Sequence, residues 1–202
     1  MQQPVDTPTN DSTLRHIPTA LLYTIVSVIA LGIIYPLLMT LVASALFPRQ
    51  ANGSLVTAHA SVVGSDIIGQ LWTKPQYFHG RPSAAGKGYD PTSTGGTNFG
   101  PTSKKLIDQT RATIAALKKE NPYSHGPVPM DLVTSSASGI DPDISPEGAY
   151  YQAPRIAKAR AMPIGSVNAL IAEHIRPREL GFLGEARVNV LELNLALDSK
   201  GR

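Results

Sequence analysis

The segment IPTALLYTIVSVIALGIIYPLLMTLVASALFP, residues 17–48, is a run of 32 positions without Asp, Glu, Lys or Arg. An α-helix rises about 1.5 Å per residue, and about 20 apolar residues are enough to cross the roughly 30 Å hydrocarbon core of a bilayer. The run therefore predicts one transmembrane helix at residues 17–48. Residues 1–16 are then a polar tail on one side of the membrane, and residues 49–202 are a domain on the other.

Two other kinds of segment contain long apolar runs. A buried core helix is usually shorter and carries a polar stripe. A cleaved signal peptide is the stronger alternative, because Ala43-Ser44-Ala45 resembles a cleavage site, and cleavage there would release a secreted domain. The apolar region of a signal peptide is usually only about 7–15 residues long and follows a basic segment. Here the segment before the run contains one Arg (Arg15) and two Asp (Asp6 and Asp11), so its net charge is −1 and it is not basic. The sequence therefore favours a retained anchor.

Charge alone does not orient the predicted helix. The positive-inside rule compares Lys and Arg near the two membrane interfaces, and Arg15 on one side balances Arg49 on the other. The chain has no cysteine, which suits an oxidising compartment but is also common in cytosolic proteins. Pro36 lies inside the run, where the missing backbone N–H predicts a kink.

The charge distribution argues against nucleic-acid binding. The net charge is only +3, the basic residues are dispersed, and the chain has a single Trp. A nucleic-acid footprint would be a basic stripe or patch with aromatic residues that stack on bases. The sequence therefore predicts a membrane protein without a nucleic-acid partner.

The sequence of residues 49–202 predicts one α+β domain with about three helices and a few-stranded sheet. Residues 54–57 and 61–70 are typical of short strands, and 73–101 form a long loop rich in Gly, Pro, Ser and Thr that its aromatic residues hold in place. Residues 186–197 largely alternate between apolar and polar side chains, which predicts a terminal strand with one exposed face.

Three helices are predicted by their caps and stops. The first follows Thr102 or Ser103 as N-cap and ends at Asn121-Pro122. The second begins at Ser145 with Pro146 in its first turn, and Pro154 predicts a kink or a break into two short pieces. The third spans about residues 165–175 and buries the face that contains Val167, Leu170 and Ile171.

Local motifs predict no catalytic, metal or cofactor site. Gly95 and Gly100 have the spacing of the glycines in a phosphate-binding loop, but Pro101 and Thr102 follow where that loop needs a Lys. The Asp141-Asp143-Ser145 spacing of a calcium loop lacks the required glycine and the final Glu. The five histidines show no paired metal spacing, and the chain has neither G-x-S-x-G nor S-x-x-K.

Several blocks of the sequence resemble one known family, in order, over most of residues 30–198. They are Y-F-H-G-R-P-S-A from Tyr77, G-Y-D-P from Gly88, S-T-G-G-T-N-F-G-P-T-S from Ser93, V-T-S-S-A-S-G-I-D-P-D-I-S-P-E from Val133, and R-V-N-V-L-E-L-N from Arg187. The chain is similar to the C subunits of the bacterial Kdp potassium-transporting P-type ATPases. Asp143 stands where the family usually has His, which changes the charge at that position.

The resemblance implies an accessory subunit and not a lone enzyme. Its expected partners are a channel-like potassium-binding subunit, a P-type ATPase catalytic subunit and a small single-span subunit. The family places the N-terminus in the cytoplasm and the C-terminal domain in the periplasm, with the helix in the inner membrane. Proposed roles are to stabilise the assembly, to assist potassium entry or to raise ATP affinity. The first two are favoured because ATP is cytoplasmic, and potassium and ATP are expected to be handled by the complex.

The resemblance also suggests a docking surface. The loop from Arg81 to Asn98 and the helix from Ser145 to Arg160 are expected to present polar groups to the outer mouth of the channel-like subunit. The candidate interface residues are Arg81, Ser83, Tyr89, Asn98, Ser145, Gln152, Arg155 and Arg160. Each can equally brace its own loop or helix. A membrane-anchored periplasmic ligand-binding or hydrolytic domain is the alternative function.

Overall fold

The computed structural model describes residues 13–58 and 60–200. Residues 1–12 of the predicted polar tail therefore lie outside the described residues. The chain divides into two compact units between Asn52 and Gly53, and each unit is described here by itself.

The first unit is one long apolar helix. It consists of α1 (Thr13–Ser27), a π-helical segment (Val28–Ile34) and α2 (Tyr35–Leu46), followed by the four-residue α3 (Pro48–Ala51). The stretch from Arg15 to Leu46 spans 32 residues and contains an 18-residue window with a mean hydropathy of 2.5, so it is long and apolar enough to cross a membrane. The helix therefore begins a few residues before the predicted segment and ends close to its predicted limit.

Pro36 is accommodated by a change of helix type. Proline lacks the N–H for the bond to the carbonyl four residues earlier, and its ring clashes with that carbonyl. The wider π-helical turns end at Ile34, immediately before α2, whose first turn contains Pro36. The carbonyl of Pro36 accepts a hydrogen bond from the Thr40 hydroxyl at 2.8 Å.

The second unit contains two small antiparallel sheets. The hairpin of β1 (Leu55–Ala58) and β2 (Ser61–Ser65) agrees with the two predicted strands, although β2 stops before the predicted end. The second sheet has the order β3-β5-β4, with β5 (Arg187–Asn189) between β3 (Asp143–Ile144) and β4 (Ile175–Arg176). The mixed helix and sheet content confirms the predicted α+β class.

The three predicted helices are present with the predicted caps. Their bounds are α4 (Lys104–Glu120), α6 (Pro146–Ala159) and α7 (Ile164–Glu173), and a short α5 (Met130–Val133) precedes β3. Ser103 caps α4 and Ser145 caps α6, each by accepting a backbone N–H with its hydroxyl. The prediction that Pro154 breaks the second helix into two pieces is wrong, because α6 continues through it. Eight of its residues are buried, and this packing outweighs the one lost backbone bond.

The predicted terminal strand is also wrong beyond Asn189. Only β5 is a strand, and residues Val190–Lys200 form α8. The buried residues of α8 are Val190, Leu191, Leu193, Asn194 and Leu197, which is the spacing of one helical face. The Asn189 side chain accepts a hydrogen bond from the Glu192 backbone N–H at 3.1 Å and so caps the helix. The alternating apolar residues thus mark a helix that continues directly from a short strand.

The core of this unit lies among α6, α7, α8 and β5. Its fully buried side chains include Phe78, Ile156, Leu170, Val188, Leu193 and Leu197. Phe78 belongs to the irregular segment 66–103, which contains no helix or strand and is described throughout. The core therefore holds the long loop as well as the regular elements.

Candidate functional site

A buried arginine joins the long loop to α6 and to the end of α4. Arg155 is only 5% exposed. Its Nε donates to Asn121 Oδ1 at 2.9 Å, and its Nη2 donates to Gln152 Oε1 at 2.9 Å. Its Nη1 donates to the backbone carbonyls of Pro75 (2.5 Å) and Tyr77 (3.0 Å). We call these five residues the Arg155 network, and they use the planar fork of donors that arginine offers.

Two side-chain amides bind the loop backbone in both directions. Phe78 N–H donates to Asn194 Oδ1 at 2.8 Å, and Asn194 Nδ2 donates back to the Phe78 carbonyl at 3.0 Å. Gln152 binds His79 in the same way, at 2.8 and 3.0 Å. Buried backbone groups need hydrogen-bond partners. The two side-chain amides therefore supply the hydrogen bonds that a neighbouring β-strand would otherwise give to the backbone of residues 78–79.

The Glu120 carboxylate closes the open side of the Arg155 network. Glu120 Oε1 lies 2.7 Å from His79 Nδ1 and 3.4 Å from Arg155 Nε. The hydrogen bond from His79 holds the pKa of the Glu120 carboxyl below its usual value, against the opposing effect of burial. Burial conversely lowers the pKa of Arg155, and the Glu120 charge partly offsets this. The pair thus supplies the negative charge that a buried guanidinium needs.

A second cluster holds the glycine-rich part of the loop. Arg81 pairs with Asp141 at 2.9 Å, and the Tyr89 hydroxyl donates to the Arg81 carbonyl at 2.7 Å. Ser83 Oγ donates to the Gly139 carbonyl and accepts the Tyr89 N–H. Burial, with the nearby Asp141 charge, raises the pKa of the Tyr89 hydroxyl to about 12, so it remains a donor. This cluster ties residues 81–89 to residues 139–141.

The remaining sequence-predicted residues are not part of these two clusters. Ser145 Oγ donates to Asp131 Oδ1 at 2.9 Å and caps α6, which joins α5 to α6. Arg160 donates to the Gln76 carbonyl at 2.8 Å and to Asp198 at 2.7 Å, which joins the loop to α8. Asn98 is exposed and has a left-handed backbone with φ 50°. Of the eight candidates, seven thus make contacts within the chain, and their interface role stays a prediction.

Several residues that hold this site are not among the sequence-predicted candidates. Asn121 was assigned only to a helix stop, and His79, Glu120, Asp131 and Asn194 were given no role. Asn194 carried a usable signal, because it is the one polar residue on the buried face of α8. The other four act through contacts between separate parts of the sequence: His79 with Glu120, Asn121 with Arg155, and Asp131 with Ser145.

An open cavity of about 600 Å³ lies beside the loop. Trp72, His79, Arg81, Lys87, Tyr89, Leu117, Glu120 and Leu132 are among the residues that line it. Within residues 13–58 and 60–200, no group of three or more His, Cys, Asp or Glu is placed to hold a metal ion. The cavity lining thus combines aromatic, basic and aliphatic side chains with the Glu120 carboxylate.

Comparisons with known proteins agree with this architecture. The family model described as KdpC, K+-transporting ATPase, c chain, matches residues 17–199, which include the apolar helix and nearly all of the second unit. The chain belongs to the KdpC family. It is 55% identical over 185 residues to the potassium-transporting ATPase KdpC subunit of Acidobacterium capsulatum, covering 92% of this chain and 98% of that one. The resemblance inferred from the sequence is confirmed.

Two further KdpC relatives show the same extent of similarity. The KdpC subunit of Koribacter versatilis is 48% identical over 91% of this chain and 94% of its own. That of Caulobacter vibrioides is 51% identical over 93% and 94%. The similarity therefore extends over both units and is not confined to the apolar helix.

Loss of the α6 cap tests one bracing contact of this KdpC-family chain. Ser145→Ala removes the hydroxyl that joins Asp131 to Gly148 N–H, and we expect a loss of about 1 kcal/mol in the free energy of unfolding. Urea unfolding of the full chain in detergent, followed by fluorescence of the single Trp72, measures this. Ser199→Ala is the matched control, because Ser199 is exposed near the end of α8. Equal stability of the two variants would contradict the capping role.

The Glu120–His79 pair predicts a pH dependence of stability. The folded-state pKa of Glu120 lies below its ordinary value of 4.5, so its contribution is present above that pH and is lost as pH falls through the folded value. We expect wild type to be more stable than Glu120→Gln at pH 7, and the difference to shrink as the pH falls below 4.5. The same Trp72 measurement at several pH values tests this. A difference that does not change with pH would contradict it.

Proposed function

We propose that this chain is a non-catalytic accessory subunit of an ATP-driven potassium uptake complex. In this proposal it stabilises the assembly and supports potassium entry at the outer mouth of a channel-like subunit. The observation that carries the proposal is the family match over residues 17–199. A P-type ATPase catalytic subunit and a small single-span subunit complete the proposed complex, and any increase in ATP affinity is an indirect effect of assembly.

We further propose a single-pass topology in the inner membrane, with a cytoplasmic N-terminus and a periplasmic C-terminal domain. The apolar helix supports this, because its large side chains from Ile17 to Leu46 are exposed along the described helix. Lipid or a neighbouring apolar helix would cover that surface, because exposing so much apolar surface to water is unfavourable in free energy. Retention in washed membranes and protease access from the periplasm alone test the topology.

The docking proposal assigns different tasks to different candidates. Arg81, Gln152 and Arg155 make several hydrogen bonds within the chain, so they fix the shape of the surface. Asn98 is exposed, so its amide is free to donate to and accept from a partner. Asn98→Gly is therefore expected to weaken the complex without destabilising the chain, because glycine loses the amide but adopts the left-handed backbone of this position freely.

The experiment that tests the function is purification in detergent through a tag on this chain. ATPase activity is then measured over a potassium titration. Copurification of a P-type ATPase and a multispan subunit, with loss of potassium-stimulated hydrolysis when this chain is omitted, supports the proposal. Recovery of the chain alone would contradict it.

A ligand-binding role is the second candidate, and the 600 Å³ cavity beside Trp72 and Arg81 favours it. Such a role predicts saturable quenching of Trp72 fluorescence by a small solute with the chain alone. An accessory subunit needs no such response, so the two readouts separate the candidates.

A further inference from the structure

A short loop between β4 and β5 exposes large apolar side chains at its tip. Leu180 is 82% exposed, Phe182 is 68% exposed and Leu183 is 49% exposed. They lie together within four consecutive residues, Leu180–Leu183, which we call the apolar tip. Contiguous exposed apolar surface on a folded domain often marks an interaction site. The exposure of these neighbouring apolar side chains is therefore the first indication that the loop binds a partner.

The apolar tip is held in a defined backbone shape. Glu179 and Leu183 exchange backbone hydrogen bonds in both directions, at 3.0 and 2.9 Å. Gly181 N–H donates to the Arg178 carbonyl at 3.1 Å. Leu180 has a left-handed backbone with φ 53°, which a leucine rarely adopts. A strained and exposed leucine is unfavourable for the free chain, and such strain often marks a functional position.

Internally paired charges surround the apolar tip. Arg178 pairs with Glu185 at 2.5 Å, and Arg187 pairs with Glu179 at 2.9 Å. Arg187 also lies 3.2 Å from Asp143. Each arginine near the tip thus has its own carboxylate, so the loop offers no excess positive charge to anionic lipid headgroups. An apolar centre with a charge-balanced rim is the composition of a protein interface.

We propose that the apolar tip is a preformed anchor that inserts into an uncharged apolar cleft on the extramembrane surface of another subunit of the same ATPase. This inference rests on the proposed function, and it adds a contact site separate from the loop and helix considered above. The fixed backbone favours binding because little conformational freedom remains to be lost. Leu180 and Phe182, the two most exposed side chains of the tip, are expected to act as hot spots in a desolvated cleft.

Photo-crosslinking in the assembled complex tests the site directly. A benzophenone amino acid replaces Phe182 in the full chain, which is coexpressed with the other subunits and irradiated in membranes. We expect a covalent adduct with another subunit of the complex. Ile164 is the matched control position, because it is 45% exposed at the start of α7, and no adduct is expected there. An adduct with lipid, an adduct with a second copy of this chain, or no adduct would overturn the proposal.

Substitution of Leu180 separates docking from folding. Leu180→Gly removes the side chain and relieves the left-handed strain, so the unfolding midpoint of the chain should be unchanged or higher. Dissociation of the chain from the purified complex should nevertheless be at least about tenfold faster, as for loss of a hot spot. Phe182→Ser should act in the same direction. Unchanged dissociation in both variants, or a parallel loss of stability, would overturn the proposal.

The two proposals fail in different ways. If no ATPase subunit copurifies with the wild-type chain, the proposed function fails and this inference fails with it. If the subunits copurify but the tip gives no adduct with them, only this inference fails.

Discussion

Replacement of Arg155 by Met is expected to lower the free energy of unfolding by about 3–5 kcal/mol, the usual cost of removing one partner of a buried charged network. The change removes the Arg155 donors of three hydrogen bonds, to Asn121 Oδ1 and to the carbonyls of Pro75 and Tyr77. Each buried acceptor left without a donor lowers the stability of the fold. The Glu120 carboxylate also loses a nearby positive charge. Met has a similar length, so the effect reports on hydrogen bonds and charge more than on lost volume.

Urea unfolding of the full chain in detergent measures this change. Trp72 is the only Trp, and its ring centroid lies 4.8 Å from that of Tyr77, which belongs to the Arg155 network. With an unfolding slope of about 2 kcal/mol per molar, the midpoint should fall by about 2 M. Arg111→Met is the control, because Arg111 is exposed on α4 and its loss should change stability by less than about 0.5 kcal/mol. Equal midpoints for the two variants would refute the bracing role of Arg155.

The second large effect is expected from Gly139→Ala. Gly139 has φ 72°, and an added Cβ would lie 2.7 Å from Ala85 N and 2.7 Å from the Gly95 carbonyl oxygen. The left-handed backbone alone costs an alanine about 1–2 kcal/mol. Neither backbone contact is the end of a flexible side chain, so the loop must move and the Ser83–Gly139 hydrogen bond must change with it. We expect a total loss above about 2 kcal/mol, most of it from detachment of residues 81–96.

Limited proteolysis detects that detachment. Lys87 is exposed within the loop, and trypsin cleavage after it requires the local backbone to open. A destabilisation of about 2 kcal/mol predicts cleavage roughly 30-fold faster than in wild type. Gly95→Ala is the matched control, because a Cβ there meets nothing within 4 Å and the backbone is not left-handed. Similar cleavage rates for the two variants would show that the loop tolerates a side chain at Gly139.

Local signals in the sequence were sufficient for most of the regular structure. Helix ends depend on one or two residues, so Ser103, Ser145 and Asn121 could be assigned from their neighbours alone. The apolar helix followed from composition over 32 residues. Family resemblance then came from motifs in the irregular segments, where residue type is restricted by turns and caps.

The errors came from residues whose role depends on distant contacts. The end of the chain was assigned to a strand because its leucines largely alternate, but packing favours α8 and buries Asn194 against Phe78. Pro154 was expected to kink a helix or to break it into two pieces, and α6 is not broken because its buried face holds it together. The site was only partly predicted for the same reason. Gln152 and Arg155 were chosen as candidates, but their partners in the long loop lie 73–80 residues away in sequence.

The amide pair between Asn194 and Phe78 has a consequence for the order of folding during synthesis. These residues are 116 positions apart, and Asn194 lies in the last helix described. The backbone of residues 78–79 therefore cannot gain all its partners until α8 has left the ribosome. Domains with such distant contacts fold late, and their incomplete chains expose surface that aggregates. A nascent chain stalled before α8 would thus carry a completed apolar helix and an unsatisfied loop, which makes it a substrate for quality-control proteases.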